Sequence, residues 1–352
     1  MPLRVLVGRP TLKIRFALLL SISLSLVANA ADQHIQQSDS YTTPVVGDDY
    51  FDGQYPVSAA NATRPRPRFS VATDVLFLSR VDDLEGDFFF DANSFNFFDP
   101  STYQPLGDLN NVSDEMKPGF RTTIVDHHDN GTATELSFFQ MQKFGEPFNV
   151  SSNQPITFVF HFTVPANPAN SYDLDYSSRF RGVELNHKRE FGSRFTGIAG
   201  IRYVQLSESF NINSDGGSFT SKIDNELYGL QLGGDLELFH IGRVEFAATV
   251  KGGAYLNHGH ITASNVRSSS GQFARYVDNE DDLAVVGETM IGAFIPMGPK
   301  ANLRIGYQMF YLDGIGLAPD QSATYSLFAQ RGTMDSTDVW YHGGYAGLEL
   351  FW

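Results

Sequence analysis

Three observations predict an all-β fold for this chain: a transmembrane antiparallel up-and-down β-barrel of about ten strands, with long outer loops and short periplasmic turns. Ten segments alternate apolar and polar residues, so one face of each segment suits lipid and the other suits a polar interior. The connections alternate between short turns and long loops, and the last segment ends on the aromatic residue Trp352. Barrels of the bacterial outer membrane combine these features.

The first 30 residues predict a signal peptide. They begin with four basic residues between Arg4 and Arg15, continue with an apolar run of 11 residues at 16–26, and end with the small residues Ala28 and Ala30. The apolar run is too short to cross a bilayer as a helix. We therefore expect cleavage after Ala30, export, and localisation in the outer membrane.

Composition excludes several classes of function. The 352 residues include 25 Lys and Arg, 40 Asp and Glu, and no cysteine. Without the predicted signal peptide, 21 basic residues stand against 40 acidic ones, a net charge of −19. This charge disfavours nucleic acid as a partner, because phosphate backbones are negative. The lack of cysteine excludes disulfides and thiolate sites, and no run of 18 apolar residues after residue 30 suggests a helical span.

Residues 31–68 are polar and end in the alternating arginines and prolines of Thr63–Arg68. Proline cannot donate to a strand ladder and favours extended chain. We predict a loosely ordered periplasmic segment here, followed by a barrel domain from residue 69 to residue 352.

Ten strands are predicted in the barrel domain, and the second, fourth, sixth and eighth are each followed by a short turn that contains Gly, Asn or Pro. The predicted strands are Phe69–Arg80, Lys117–Asp126, Ala133–Phe144, Ser177–Glu190, Arg194–Ile212, Ile223–Phe239, Arg243–His258, Leu283–Pro296, Lys300–Leu312 and Val339–Trp352. An even strand count places both termini of the chain on the short-turn side of the barrel.

Two further segments, Asp87–Phe98 and Ile156–Val164, would raise the count to twelve if both crossed the membrane. We prefer ten. The first segment is rich in Asp and Asn, and the second lies between Pro155 and Pro165.

The last eight residues resemble the C-terminal assembly signal of bacterial outer-membrane proteins. The resemblance is carried by Tyr345, Gly347, Leu350 and Trp352, although that signal usually has a more polar residue in place of Tyr345. It implies that the barrel-assembly machinery is a partner, in addition to outer-membrane lipid.

With its strands placed, the chain from roughly Arg68 to Trp352 resembles the β-barrel porin family of outer-membrane proteins in planctomycete-type bacteria. The resemblance is carried by the opening strand Phe69–Leu78, the strings Gly182–Asn186 and Gly200–Tyr203, and the closing residues Tyr345–Trp352. It implies an outer-membrane barrel without an assigned substrate, and it brings no catalytic residues.

Directing the polar face of each strand inward gives eleven candidate lumen charges, seven acids and four bases. They are Asp74, Arg121, Glu184, Arg202, Asp235, Glu237, Glu245, Lys251, Glu288, Arg304 and Glu349. A ten-stranded interior is only slightly wider than the eight-stranded interior that side chains fill. The charges therefore predict either a plug of ion pairs or a narrow cation-preferring channel.

The first long loop, residues 81–115, contains nine acids, seven aromatic residues and no Lys or Arg. Clustered carboxylates suit hard divalent cations, so the loop offers a weak candidate cluster for loosely bound Ca²⁺. Its members are Asp82, Asp83, Glu85 and Asp87. The spacing does not match an EF-hand, and a solvated acidic loop is the alternative. No other cofactor is predicted.

No catalytic residues are predicted, and we expect that the chain is not an enzyme. The adjacent His127 and His128 fit a surface turn, because no zinc-site spacing accompanies them. Ten-stranded outer-membrane proteases offer an analogy through Asp and His at the outer rim. The corresponding residues here are Asp82, Asp83, His258 and His260, whose spacing does not match that arrangement.

The sequence thus predicts an outer-membrane barrel that is structural or forms a narrow, cation-preferring, porin-like channel for small solutes. The alternative is a surface binding or adhesion barrel that acts through its long acidic and aromatic loops. The oligomeric state does not follow from the sequence.

Overall fold

The computed structural model describes residues 67–82, 87–91, 105–108, 116–158, 169–267, 273–324, 334 and 336–352. The predicted signal peptide and nearly all of the predicted N-terminal segment lie outside these residues. Among the described residues, no helix is both long enough and apolar enough to cross a membrane.

The described chain is almost entirely β-structure. Its elements are β1 (Phe69–Asp82), β2 (Asp87–Asp91), β3 (Pro105–Asp108), β4 (Lys117–His127), β5 (Thr132–Met141), β6 (Pro147–Phe158), β7 (Ala169–Glu190), β8 (Phe195–Ser214), β9 (Gly217–Ile241), β10 (Val244–Arg267), β11 (Phe273–Gly298), β12 (Ala301–Ile315), the helix α1 (Ala318–Thr324) and β13 (Thr337–Phe351).

Ten of these strands form a closed antiparallel barrel, in the order β1, β4, β5, β7, β8, β9, β10, β11, β12 and β13. The ring closes where β13 pairs with β1 from Ser70–Phe351 to Asp82–Val339. These are the ten predicted strands, so the predicted fold class is confirmed. Closure removes free edges, and every central backbone group can pair with a neighbouring strand.

Three strands lie outside the ring. β6 pairs with β7, β2 pairs with β6, and β3 pairs with β2. The described parts of the two ambiguous segments, 87–91 and 156–158, belong to β2 and β6. They are strands, but they do not add to the barrel wall.

The two-residue period of β9 shows how the barrel is oriented. Leu230 and Leu232 are 71% and 70% exposed, whereas Gln231 between them is 2% exposed. On β12, Ile305 is exposed and Arg304 points into the barrel. The outer surface is therefore apolar and the interior contains charges, which is the arrangement of a barrel in lipid.

Towards the long-loop end, the apolar surface stops on five consecutive strands at the same level. Its last residues are Val183, Tyr203, Tyr228, Leu256 and Leu283. The next outward residues are cross-strand neighbours of one another and form what we call the polar row: Arg181, Gln205, Glu226, His258 and Asp281. We place the upper membrane boundary between these two rows, because tyrosines commonly lie at the membrane interface.

Above the polar row, β7 to β11 continue as an outer wall. β9 alone has 25 residues, whereas a strand needs about 9–11 residues to cross a membrane. A second hydrophobic cluster, which includes Tyr172, Phe210 and Ile261, fills the inner side of this wall. The outer wall is therefore a packed structure with its own core.

Candidate functional site: the barrel interior

The structure places all eleven predicted lumen charges on the inward face of the strands. Five of them, Arg121, Glu184, Arg202, Lys251 and Glu288, are 2–6% exposed and meet in one central network. The residues come from five different strands, and the barrel closure brings them together. Parity along each strand fixes which residues point inward, but closure decides which of them meet.

Glu288 is the centre of this network. Its carboxylate accepts from Arg121 at 2.6 Å and from Arg202 at 2.8 Å, and its distance to Lys251 Nζ is 3.0 Å. Glu184 pairs with Lys251 at 2.5 Å and lies 3.7 Å from Arg202. Such close pairing offsets the desolvation cost of charges in a low-dielectric interior.

A second cluster lies towards the short-turn end. Lys188 contacts Glu135 at 2.5 Å and Asp235 at 2.9 Å, and Thr249 donates to Asp235 at 2.6 Å. Of these residues, the predicted set contained only Asp235. The same inward parity identifies the others, since Lys188 lies on the same face of β7 as Glu184, and Glu135 lies on the same face of β5 as buried Ser137.

A separate ion pair joins β1 and β12. The Arg304 guanidinium lies 3.4 Å from Asp74 and stacks over the Phe294 ring at 5.5 Å. Glu349, on β13, is the cross-strand neighbour of Asn302. Glu245 lies 3.8 Å from His240, which also contacts Glu237 at 3.2 Å.

A layer of aromatic side chains lies above the central network. The Phe139 ring stacks on Phe310 at 5.0 Å, Phe180 stacks on Tyr341 at 4.4 Å, and Phe139 meets Phe180 edge-on at 4.8 Å. The Arg202 guanidinium lies 5.3 Å from the Phe310 ring centre. Cation–π contacts thus join the charged network to the aromatic layer.

This layer extends across the whole interior, and we call it the dry layer. Its members belong to one contacting cluster, come from nine of the ten barrel strands, and are at most 4% exposed. They are Leu76, Leu78, Phe139, Phe180, Val204, Leu227, Tyr255, Val286, Phe310 and Tyr341. On the tenth strand, β4, the inward position Gly119 is covered by the Met141 side chain of β5. A passage wide enough for water would leave its lining exposed, so this layer closes the barrel.

The connection after β12 folds into the barrel above the dry layer. The Asn225 amide donates to the Gly316 carbonyl at 2.8 Å and accepts from the Gly316 N–H at 2.9 Å. The Ala318 N–H donates to Glu208 at 2.9 Å, and Glu208 pairs with Arg80 at 2.6 Å. The side chains of Glu208 and Arg80 are both fully buried.

Below the central network, the interior opens into a cavity at the short-turn end, which we call the vestibule. Its volume is about 200 Å³, and its wall contains turn residues such as His128 and Gly131. Lys188, Glu245 and Glu349 are among the charged residues of the wall. The vestibule is thus a cavity with both apolar and charged residues in its wall, and it ends at the central network.

The histidines named in the sequence analysis do not form one group. His127 lies in the vestibule wall, 3.4 Å from the Ser70 hydroxyl, and His128 contacts Thr134 at 3.2 Å. His258 and His260 lie on the outward face of β10, where they contact Asp281 and Asn279.

The candidate Ca²⁺ cluster of the first long loop cannot be placed. The side chains of Asp82, Asp83, Glu85 and Asp87 lie outside the described residues. Within the described part of the chain, no group of three or more His, Asp or Glu side chains could bind a metal ion.

The four residues of the predicted assembly signal lie on both faces of β13. Leu350 and Trp352 are 48% and 56% exposed on the apolar outer surface, whereas Tyr345 is buried inside. A Cβ at Gly347 would lie 2.3 Å from the Asp74 carboxylate, so glycine leaves space for that carboxylate. Phe69 and Trp352 exchange two backbone hydrogen bonds of 3.1 Å at the end of the closing pair.

No protein family and no curated protein matches the chain. Among solved structures, the outer membrane protease OmpT from Escherichia coli is 9% identical, with 81% of this chain and 96% of that chain covered and a TM-score of 0.44. The P. putida toluene transporter TodX is 9% identical, with 84% and 93% covered and a TM-score of 0.33. The outer-membrane expressed OmpT of Vibrio cholerae is 10% identical, with 81% and 97% covered and a TM-score of 0.15.

The closed ring, the apolar outer surface and the charged interior define a β-barrel of the outer-membrane type. The matched structures are similar to the chain in fold alone, and they include both a protease and a transporter. The expectation that the chain is not an enzyme is therefore withdrawn. One of the matched structures is a protease, and the fold by itself does not decide whether a barrel is an enzyme. Membership of the porin family of planctomycete-type bacteria stays a prediction.

Proposed function

We propose that this protein is a closed outer-membrane barrel with a structural role, which presents its outer wall and long loops as a binding surface. The observation that carries the proposal is the dry layer, in which the inward residues of nine strands are at most 4% exposed. The long outer wall supports it further, since β7 to β11 have 20–26 residues each, about twice the 9–11 that a membrane crossing requires.

The second candidate is a narrow cation-preferring channel for small solutes. The seven acids and four bases of the predicted lumen set favour it, because an acidic lumen concentrates cations. Such a channel would require the dry layer and the connection after β12 to move apart. A closed barrel needs no such rearrangement.

Conductance in planar bilayers tests the proposal. We expect the refolded chain, residues 31–352, to give no steady openings, because the aromatic rings exclude water. The double variant Phe139→Ala with Phe310→Ala removes two stacked rings of the dry layer and should produce ion leakage. Steady cation-selective openings of the unmodified chain would instead establish the channel.

The matched control is the double variant Phe120→Ala with Phe138→Ala. These two rings also contact each other, at 5.6 Å, but they are 44% and 37% exposed on the outer surface. We expect this control to be as silent as the unmodified chain. Equal leakage from both variants would mean that it results from general loosening of the barrel.

A further inference from the structure

The vestibule contains more negative charge than its bases neutralise. Lys188 is paired with Glu135 and Asp235. Arg304 is paired with Asp74 at 3.4 Å. Deeper in the wall, Arg121 and Lys251 are paired with the acids of the central network. Each of these bases therefore already has an acidic partner.

Two further carboxylates of the vestibule wall are only partly neutralised; one of them, Glu349, accepts a hydrogen bond from the Asn302 side chain and lies near Arg304. Within the described residues, neither Glu245 nor Glu349 has a lysine or arginine at ion-pair distance. The imidazole of His240 lies 3.8 Å from Glu245 and also contacts Glu237. Carboxylates in a confined, low-dielectric space favour a counter-ion strongly.

An independent observation at the same place is the side chain of Asn302, which lies in the vestibule wall and is only 6% exposed. Its carboxamide oxygen has no hydrogen-bond partner. A buried acceptor without a donor typically costs about 1–3 kcal/mol. Since Asn302 is the cross-strand neighbour of Glu349, one donor group could satisfy both side chains.

The chemistry of this site favours an organic cation over a metal ion. No group of three or more His, Asp or Glu side chains placed to hold a metal ion occurs among the described residues, and the vestibule, at about 200 Å³, is larger than a single ion requires. An alkylammonium group has three N–H donors, so it can donate to two carboxylates and an amide oxygen together. We infer that the vestibule binds an organic polyamine-type cation through Glu245, Glu349 and Asn302.

Isothermal titration of the refolded chain with spermidine tests this site. We expect saturable binding that weakens at least tenfold in the double variant Glu245→Gln with Glu349→Gln. The variant Asn302→Ala removes the amide acceptor without changing the charge, and it should weaken binding several-fold. Circular dichroism and the gel shift of the unheated barrel check that each variant is folded.

The matched control is the double variant Glu146→Gln with Glu226→Gln, which removes the same charge from positions outside the interior. It should bind spermidine like the unmodified chain. A lack of saturable binding would overturn the proposal. So would equal weakening in the control, or equal competition by Mg²⁺, since either result would indicate only a diffuse ion atmosphere. Because conductance does not enter this measurement, its failure is distinguishable from failure of the closed-barrel proposal.

Discussion

At the scale of single residues, the interior depends on charges that neutralise one another without water. Glu288 is 2% exposed and contacts three cations from three other strands. Gln308 also donates to its carboxylate at 3.0 Å. Removal of this one negative charge leaves Arg121, Arg202 and Lys251 with a single buried acid between them, Glu184.

We therefore expect Glu288→Gln to lower the free energy of unfolding by about 3–5 kcal/mol, the typical cost of breaking a buried ion pair. Urea unfolding of the barrel in lipid vesicles measures this change. The matched control is Glu146→Gln, which removes an exposed partner of Lys117; solvent-exposed pairs of this kind contribute little to stability. Equal effects of the two substitutions would show that the central network does not stabilise the fold.

At the scale of elements, every barrel strand extends beyond at least one of its predicted bounds, and β7, β9, β10 and β11 extend furthest. The predicted strand Ile223–Phe239 is observed as Gly217–Ile241, and the predicted loop before it is a tight hairpin whose turn contains Asp215 and Gly216. The apolar outer face ends at the polar row, so the alternation that predicts a membrane strand also ends there. The strands continue because inward residues such as Ile223 still pack on the inner side of the outer wall.

The connection after β12 is held in place by buried side chains, and Asn225 makes two of the hydrogen bonds. Asn225 is fully buried and makes two hydrogen bonds to Gly316, so we expect Asn225→Ala to leave both backbone groups without that partner. At about 1–3 kcal/mol for each unsatisfied group, amide exchange at Gly316 and Ala318 should become at least tenfold faster. Hydrogen exchange followed by mass spectrometry measures this change.

The control for this element is Asn211→Ala. Asn211 lies on the outer wall, where it makes one long hydrogen bond to the Asp175 carbonyl at 3.5 Å and another to Ser209. Its substitution should leave exchange at Gly316 unchanged. Unchanged exchange in Asn225→Ala as well would show that other contacts, such as that of Ala318 with Glu208, suffice to fix the connection.

At the scale of the whole molecule, the boundary between the apolar surface and the polar row predicts how deeply the barrel lies in lipid. The chain has no cysteine, so single cysteines can carry fluorescent labels without background. A label at Leu230 or Ile201, both outward and exposed, should be strongly quenched by lipids with brominated acyl chains. A label at Lys222 or Ser209, both above the polar row, should be quenched weakly.

Similar quenching at all four positions would contradict this placement, because it would put the outer wall in lipid too. Strong quenching at Gln231, an inward and buried position, would contradict the orientation of the faces. The same labels therefore test both the height of the membrane and the direction of each strand.

The sequence by itself predicted ten barrel strands, with twelve as the alternative, and it identified the inward face of each strand and most of the interior charges. Alternation with a period of two and the alternating loop lengths are local properties, and a strand of known parity has only two faces. Glu135 and Lys188 follow the same rule on strands that the pattern already identified.

Only the tertiary structure decided which interior groups meet and whether the barrel is closed. Glu288 and Arg121 are 167 positions apart, and Asn225 and Gly316 are 91 apart. These contacts depend on ring closure and on the stagger of neighbouring strands, which accumulates around the barrel. A one-residue change of register in any strand would turn the inward side chains of that strand outward. The dry layer and the vestibule therefore exist only in a ring whose strands are paired in the observed register.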